Sequence, residues 1–176
     1  MNASPHDLRL RVCGEDLCET LDRLYELQLK LLEVLTVKEE ALVAVELEKL
    51  STVRDEEENL LHRVVDEEKQ RLLLTEEIGD LVRFPRPSSI RVADMLEHLP
   101  GEVSERLHES RNRLRDSAIA LGKQNRTNRT LIEHSLGHIQ VFLSRLVNEE
   151  MMGAQYGSDG HEASGDGGSI LMDRTG

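Results

Sequence analysis

Aromatic side chains are scarce in this chain, which has two Tyr, two Phe and no Trp among its 176 residues. Without large aromatic groups to bury, a thick globular core is not expected at this length. Nucleic acid is not expected as a partner either, because the net charge is −12 and no basic stripe interleaved with aromatics offsets it.

Long apolar runs are also missing. No stretch approaches the roughly 20 apolar residues that cross a bilayer, so direct membrane insertion is not expected. The N-terminus, MNASPHDLRLRVCGED, lacks the continuous apolar core of a signal peptide. The sequence therefore predicts a cytoplasmic protein.

Proline and glycine, the residues that interrupt helices, are almost absent from the first half. Between Glu15 and Arg83 there is no proline, and the one glycine is Gly79. Leu, Glu and Arg dominate the chain and are good helix formers, whereas the β-branched residues that favour strands are scattered. An all-α protein is predicted.

Two segments repeat apolar residues every three or four positions, which is typical of helices that pack along one stripe. The first seam contains Leu17, Leu21, Leu24, Leu31, Leu35, Leu42 and Val45. The second contains Leu107, Leu114, Ala118, Leu121, Ile132, Ile139, Phe142 and Leu146. Because Phe84-Pro85-Arg86-Pro87 separates them, we predict an elongated antiparallel helical hairpin or coiled coil.

The predicted organisation has a flexible lead-in over 1–14 and a helical hairpin domain over 15–151. That domain comprises a long helix over about 15–83, bent near Ser51 and Thr52, a short helix over about 89–99 capped by Ser88 and Ser89, and a long helix over about 102–151. Residues 152–176 are rich in Gly, Ser and Asp, a composition typical of disorder.

Charge differs between the two long segments. Residues 15–83 carry 9 Lys and Arg against 20 Asp and Glu, whereas residues 102–147 carry 8 against 5. Opposite net charges favour pairing of the second segment with the first, although each exposed ion pair contributes only about 0.2–1 kcal/mol.

Residues with catalytic or metal-binding chemistry do not form a recognisable motif. Cys13 and Cys18 lack the spacing of a zinc knuckle or a thioredoxin-type pair, and are expected to be reduced thiols. His134 and His138 share a helix face but have no glutamate between them in the zinc-protease pattern. A single Glu-x-x-His pair at 105 and 108 falls short of a di-iron site. No enzyme, metal or cofactor is predicted.

Asn125 and Asn128 fall on the second seam, where apolar residues are expected. Two interpretations remain open. A buried asparagine can fix the register of a coiled coil, or this stripe can be only partly covered within the chain and receive a helix from a partner.

The second half also resembles a known family. The C-terminal signature of FlgN-type flagellar export chaperones is similar to a pattern formed by Leu107, Arg111, Leu114, Asn125, Asn128, Leu131, Ile132, Leu136, Ile139 and Leu143. The first half is similar in its Leu-rich heptads leading into Val37-Lys38-Glu39-Glu40-Ala41-Leu42, then Leu47-Glu48-Lys49-Leu50 and Arg54. The resemblance covers roughly residues 15–148.

The resemblance implies a cytosolic chaperone that holds the helical C-terminal region of hook-associated proteins and brings them to the type III export apparatus. It also implies that the free chaperone is a monomer or weak dimer. The binding residues that it implies are Asn125, Asn128, Leu131, Ile132, Leu136, Ile139 and Leu143. In the polar tail, Tyr156, Ile170, Leu171 and Met172 are candidates for a docking motif because they are isolated apolar or aromatic residues.

Two other functions compete with the chaperone. A self-associating structural coiled-coil adaptor would use the exposed part of the same seam as a dimer interface. A metal-bearing four-helix enzyme would contain bound metal when purified.

Overall fold

The computed structural model describes residues 4–155, with side chains up to residue 145. This part is all-α and has four α-helices: α1 (Pro5–Ala44), α2 (Leu47–Leu81), α3 (Val92–Met95) and α4 (Gly101–Gln155). A single 3₁₀ turn, Pro87–Ser89, precedes α3. By its contacts the chain divides into two compact units, residues 1–133 and residues 134–176.

The first helix begins ten residues earlier than the sequence predicted. Ser4 accepts hydrogen bonds from the backbone N–H groups of His6 and Asp7, and the Asp7 carboxylate accepts one from Ser4 N–H. This capping box, with Pro5 at the first helical position, starts the helix within the segment expected to be a flexible lead-in. From Ser4 onwards that expectation is wrong.

The predicted single helix over 15–83 is also wrong, because the chain reverses direction at Val45 and Glu46. Val45 adopts a left-handed conformation with φ of 57°. Its N–H donates to Leu42 O and the Glu46 N–H donates to Ala41 O, which is the pattern of a Schellman cap. The break is therefore a helix end, not a bend near Ser51 and Thr52.

Helices α1 and α2 form an antiparallel hairpin. Ion pairs join Arg9 to Glu77, Arg23 to Glu67 and Lys38 to Glu57. The residue numbers of the paired positions therefore increase along α1 as they decrease along α2. The all-α class and the helical hairpin are confirmed, but the antiparallel partner of α1 is α2.

Helix α4 runs parallel to α1 over the first unit. Asp22, Gln28 and Leu35 of α1 contact Ser110, Ser117 and Asn128 of α4 in the same order. The polypeptide between the hairpin and α4 makes this possible by returning the chain to the end where α1 begins. Helix α1 thus pairs with both other long helices.

The connection between α2 and α4 is less helical than predicted. The helix expected over 89–99 is limited to Val92–Met95, and Ser88 and Ser89 belong to the 3₁₀ turn and do not cap it. The cap of α3 is instead a hydrogen bond from Arg91 N–H to the Asp94 carboxylate.

The connection packs closely on the hairpin. A Cβ added at Gly79 would lie 2.7 Å from the Pro87 Cα atom. Position 79 must therefore be glycine to leave room for the Pro87–Ser89 turn to pack against α2.

Two clusters of buried residues form the core of the first unit. The larger one joins the start of α1 and the end of α2 to α3 and the start of α4, and contains Leu10, Cys13, Leu17, Cys18, Leu21, Leu24, Leu74, Ile78, Ile90, Met95, Leu99, Val103 and Leu107. The smaller one lies nearer the hairpin turn and contains Leu27, Leu31, Val34, Val53 and Leu60.

Candidate functional site

The face of α4 that packs in the first unit follows a strict heptad. Positions spaced alternately by four and three residues are buried or half-buried. They are Val103, Leu107, Ser110, Leu114, Ser117, Leu121, Gln124, Asn128 and Leu131.

Every second position of this heptad from residue 110 to 124 is polar and bonds to α1. The Ser110 hydroxyl donates to the Asp22 carboxylate at 2.7 Å. Ser117 donates in the same way to the Gln28 side chain, and Gln124 to Glu39. This row of side-chain hydrogen bonds was missed from the sequence, because the predicted seam ran through Ala118, which is exposed, and did not include Ser110, Ser117 or Gln124. The signal was the continued three-four spacing of the polar residues.

Asp22 is the most heavily bonded residue of this row. Besides Ser110, it accepts hydrogen bonds from Arg113 at 2.6 Å and from Arg106 at 3.3 Å. The Arg113 guanidinium also lies 5.1 Å from the centre of the Tyr25 ring, a cation–π distance. The opposite net charges of the two segments thus attract each other at one half-buried carboxylate, that of Asp22.

The two asparagines of the seam have different environments. Asn128 is 3% exposed, and its amide group donates to Leu35 O at 2.8 Å. The amide oxygen of the same side chain, Oδ1, is buried without a hydrogen-bond partner among the described residues. Asn125 is exposed. The environment of Asn128 fits the register interpretation, because its amide group bonds within the chain.

The remaining predicted binding residues change from half-buried to exposed along α4. Leu131 and Ile132 are half-buried in the first unit. In the second unit Leu136, Ile139 and Leu143 are 54%, 53% and 53% exposed.

The described side chains of the second unit, residues 134–145, are all exposed. At about 100° per residue, Leu136, Ile139, Phe142 and Leu143 lie on one side of the helix, and Val141 lies on the opposite side. We call the four residues Leu136, Ile139, Phe142 and Leu143 the α4 apolar face. No Asp or Glu occurs between residues 134 and 145, where Arg145, His134 and His138 are the ionisable residues. A contiguous exposed apolar face of this kind is typical of an interaction site.

The tail candidates Tyr156, Ile170, Leu171 and Met172 lie outside the described residues. The two cysteines lie in the larger core cluster, where desolvation raises the pKa of each thiol to about 11. Thiols that stay protonated at neutral pH are poor nucleophiles and poor metal ligands.

Within residues 4–155, no group of three or more His, Cys, Asp or Glu is arranged to hold a metal ion. His134 and His138, the helical pair noted in the sequence, are exposed. Among the helices in the same part of the chain, none has an apolar stretch long enough to span a bilayer.

Comparison with known proteins adds one decisive observation. A family model described as FlgN protein matches residues 14–164, which include most of all three long helices. The chain belongs to the FlgN family. No curated protein and no solved structure matches it.

Membership of the FlgN family carries a general function. The family consists of flagellar export chaperones, not enzymes, and its partners are hook-associated proteins. The resemblance noted in the sequence is thereby confirmed at the level of the family. The match spans both units, so the α4 apolar face lies within the part of the chain that the family shares.

Proposed function

We propose that this FlgN-family chain binds the helical C-terminal region of hook-associated proteins in the cytoplasm, and that it does so through the α4 apolar face. The observation that supports this proposal is the combination of over-half-exposed apolar side chains and the absence of acidic residues over 134–145. An amphipathic helix from a partner would cover this face along its own apolar stripe.

The size of the face suits a reversible complex. Each Leu, Ile or Phe contributes about 1.5–3 kcal/mol when fully buried, and these residues are already about half-covered. Covering the remaining half of four such side chains contributes roughly 3–6 kcal/mol, which is comparable with the lower end of the cost of association, so the complex should be reversible without nucleotide hydrolysis. A chaperone that hands its partner to an export apparatus needs affinity of this kind.

Of the residues suggested by the resemblance, the structure favours those beyond residue 133 for the first contact. Leu136, Ile139 and Leu143 are accessible, whereas Asn128 is bonded to Leu35 within the chain. Leu131 and Ile132 would contribute at the margin because they are half-buried. Asn125 is exposed and would contribute a polar contact.

Binding can be tested with a synthetic peptide of the C-terminal helical region of a hook-associated protein from the same organism. Calorimetric titration of the full chain is expected to show a complex that Leu136→Asp or Ile139→Asp weakens at least about tenfold. Val141→Asp is the matched control, since Val141 is 51% exposed in the same segment but lies on the opposite side of the helix. Equal weakening by Val141→Asp, or unchanged affinity in Leu136→Asp, would contradict the proposal.

Delivery to the type III export apparatus is a separate part of the proposal. Secretion of hook-associated proteins into the medium is expected to fall in cells that carry Leu136→Asp and to stay normal with Val141→Asp. Docking by Tyr156 or Ile170-Leu171-Met172 would be contradicted if truncation after Met152 left binding to the export apparatus unchanged.

A self-associating structural adaptor without a secretion role is the alternative. It predicts that the peptide does not bind and that secretion is normal in the Leu136→Asp strain. The two results together separate it from the chaperone.

A further inference from the structure

The three most exposed large apolar side chains of the described residues lie together at the turn between α1 and α2. Val43, Val45 and Leu47 are 68%, 72% and 74% exposed, and Ile119 follows at 64%. All three fall within five consecutive residues, where the hairpin ends. We call Val43, Val45 and Leu47 the hairpin tip.

Val45 adopts a backbone conformation that valine disfavours. Its φ of 57° and ψ of 39° are left-handed, a conformation in which a β-branched residue is strained and glycine is not. Packing does not offset this strain, because most of the side chain is exposed. The valine therefore lowers the stability of the fold relative to a glycine. Strain that packing does not explain is typical of functional segments.

The shape of the hairpin tip suits a pocket better than a helix. A partner helix covers an apolar stripe along another helix, as proposed for the α4 apolar face. The hairpin tip has no such stripe, because the chain reverses direction at Val45 and Glu46. A compact apolar turn is covered most completely by a concave pocket.

Uncompensated carboxylates border the hairpin tip. Glu40 and Glu48 are exposed, and neither has an ion-pair partner among the described residues. Glu39 accepts a hydrogen bond from the Gln124 side chain, which is neutral and does not compensate the carboxylate. A partner of the hairpin tip should therefore supply positive charge around its apolar contact.

The cations of α1 and α2 nearest the hairpin tip do not balance these carboxylates. Lys38 pairs with Glu57, with an N–O distance of 2.6 Å, and Lys49 pairs with Glu46 at 3.4 Å. The next cation along α2, Arg54, is followed by four consecutive acidic residues. The acidic character of the border is therefore not cancelled by either helix of the hairpin.

The cations of α4 within the first unit are more distant. Asn128 bonds to Leu35, and the centre of the hairpin tip lies ten residues beyond Leu35, a helical rise of about 15 Å. This is roughly two Debye lengths at physiological salt. Lys123 and Arg126 precede Asn128 and lie farther still, whereas Arg129 is ion-paired.

We propose that the hairpin tip is a second protein-binding site, and that its partner is a protein with an apolar pocket bordered by lysine or arginine. The pocket covers Val43, Val45 and Leu47, and its cations pair with Glu40 and Glu48. Apolar contact supplies the affinity, and the bordering charges select the partner. The hairpin tip shares no residue with the α4 apolar face.

Thermal unfolding tests the strain at Val45. Val45→Gly is expected to raise the Tm by about 2–4 °C, because glycine adopts the left-handed conformation freely and little buried surface is lost. Val43→Gly is the matched control, since it removes the same exposed side chain from a helical position, where glycine lowers stability. A Tm that does not rise with Val45→Gly, or that rises equally with Val43→Gly, would overturn the inference.

Photo-cross-linking in cells of the same organism tests what covers the hairpin tip. A benzophenone amino acid replaces Leu47, and in the control it replaces Leu73, a leucine of the same helix that is 62% exposed. Position 47 is expected to give at least about tenfold more adduct with one protein than position 73. The cross-linked residues of that protein are expected to lie in an apolar pocket lined by lysine or arginine.

Four results of this experiment would contradict the inference. They are the absence of an adduct, equal yields at positions 47 and 73, a contact site without cations, and an adduct with a hook-associated protein or with a second copy of this chain.

Charge reversal tests the border of the hairpin tip. Glu40→Lys combined with Glu48→Lys is expected to lower the adduct yield at position 47 at least about tenfold, because the cations of the pocket are then repelled. Glu58→Lys combined with Glu76→Lys is the matched control, since it changes the net charge equally at exposed residues of α2 farther along the helix. An unchanged yield, or an equal loss in the control, would refute the stated chemistry of the partner.

Titration with the hook-associated peptide separates this inference from the proposed function. The Leu47→Ser chain is expected to bind the peptide as the wild type does, and weaker binding would make the hairpin tip part of the substrate site and overturn the inference. If the peptide does not bind the wild type but position 47 still forms its adduct, the proposed function fails and the second site stands. If the peptide binds and the adduct is absent, the second site fails and the proposed function stands.

Discussion

Helix α4 contains two segments of opposite character. From Val103 to Leu131 its heptad positions pack in the first unit, and a row of polar side chains bonds them to α1. From residue 134 to residue 145 every described side chain is exposed, although four of them form a continuous apolar face. The contact face of the buried segment thus mixes leucine and valine with serine, glutamine and asparagine, whereas the exposed segment is rich in leucine, isoleucine and phenylalanine.

This difference shows how one helix can serve both the fold and a partner. Polar seam residues give directed hydrogen bonds that set the register of α4 on α1. Apolar residues give non-directional attraction, which suits a surface that must accept a helix from another protein. Four pairs of substitutions can break or sharpen the comparison.

The largest difference is expected between two leucine truncations in α4. Leu107 is fully buried, so Leu107→Ala should lower the free energy of unfolding by about 2–5 kcal/mol through lost burial and a cavity. Leu136→Ala, at an exposed position of the same helix, should change it by about 0.5 kcal/mol or less. Urea denaturation of both variants measures the difference, and similar losses in the two would refute it.

Two glycine-to-alanine substitutions should change the stability of the protein in opposite directions. A Cβ at Gly79 would lie 2.8 Å from the Pro87 carbonyl oxygen, so Gly79→Ala should destabilise the first unit by about 1–3 kcal/mol. A Cβ at Gly137 meets nothing within 4 Å, so Gly137→Ala should favour helix by up to about 1 kcal/mol. Thermal melts and far-ultraviolet circular dichroism report the two effects, and a stabilised Gly79→Ala variant would show that the connection can move away.

Removing a buried hydrogen bond should cost more than removing a surface ion pair. Asp22→Ala leaves the buried Ser110 hydroxyl without its acceptor and should lower the free energy of unfolding by about 1–3 kcal/mol. Glu133→Gln removes an exposed ion pair with Arg129 and should cost about 0.5 kcal/mol or less. Chemical denaturation measures both losses, and the part of the Asp22→Ala loss that persists at high salt reports the Ser110 hydrogen bond, because the ion pairs of Asp22 with Arg106 and Arg113 are partly exposed and therefore screened. Equal losses would mean that the row of bonds between α1 and α4 adds little stability.

The smallest effect is expected at the seam asparagines. Asn128→Leu removes a buried amide oxygen that lacks a partner, so the free energy of unfolding should rise by about 1 kcal/mol. Asn125→Leu, at an exposed position, should leave it nearly unchanged. If denaturation instead shows Asn128→Leu to be destabilised, its bond to Leu35 outweighs the unsatisfied oxygen.

Much of the fold could be predicted from local features of the sequence. The heptad spacing and the scarcity of proline and glycine predicted long amphipathic helices, and Phe84-Pro85-Arg86-Pro87 predicted the break before α4. The start of α4 near residue 102 was also predicted, because Pro100 and Gly101 mark it. These features act within a few residues, so the sequence alone reveals them.

The candidate site was predicted only in part. The spacing that placed Ile132 and Ile139 on a seam is a local property, and the structure finds Leu136, Ile139 and Leu143 exposed. Burial of Asn128 and exposure of Asn125 could not be predicted, because both asparagines fit the same seam. Their different environments depend on which face of α4 contacts α1.

The sequence by itself determined that this chain is helical, acidic, poor in aromatic residues and similar to flagellar export chaperones. Only the tertiary structure decided that α1 ends at Ala44, that α2 folds back on it and that α4 runs parallel to α1. Valine has little intrinsic preference for the left-handed conformation found at Val45, so no local signal marks the turn. The turn is held by the packing of α1 against α2, which brings together residues far apart in the chain.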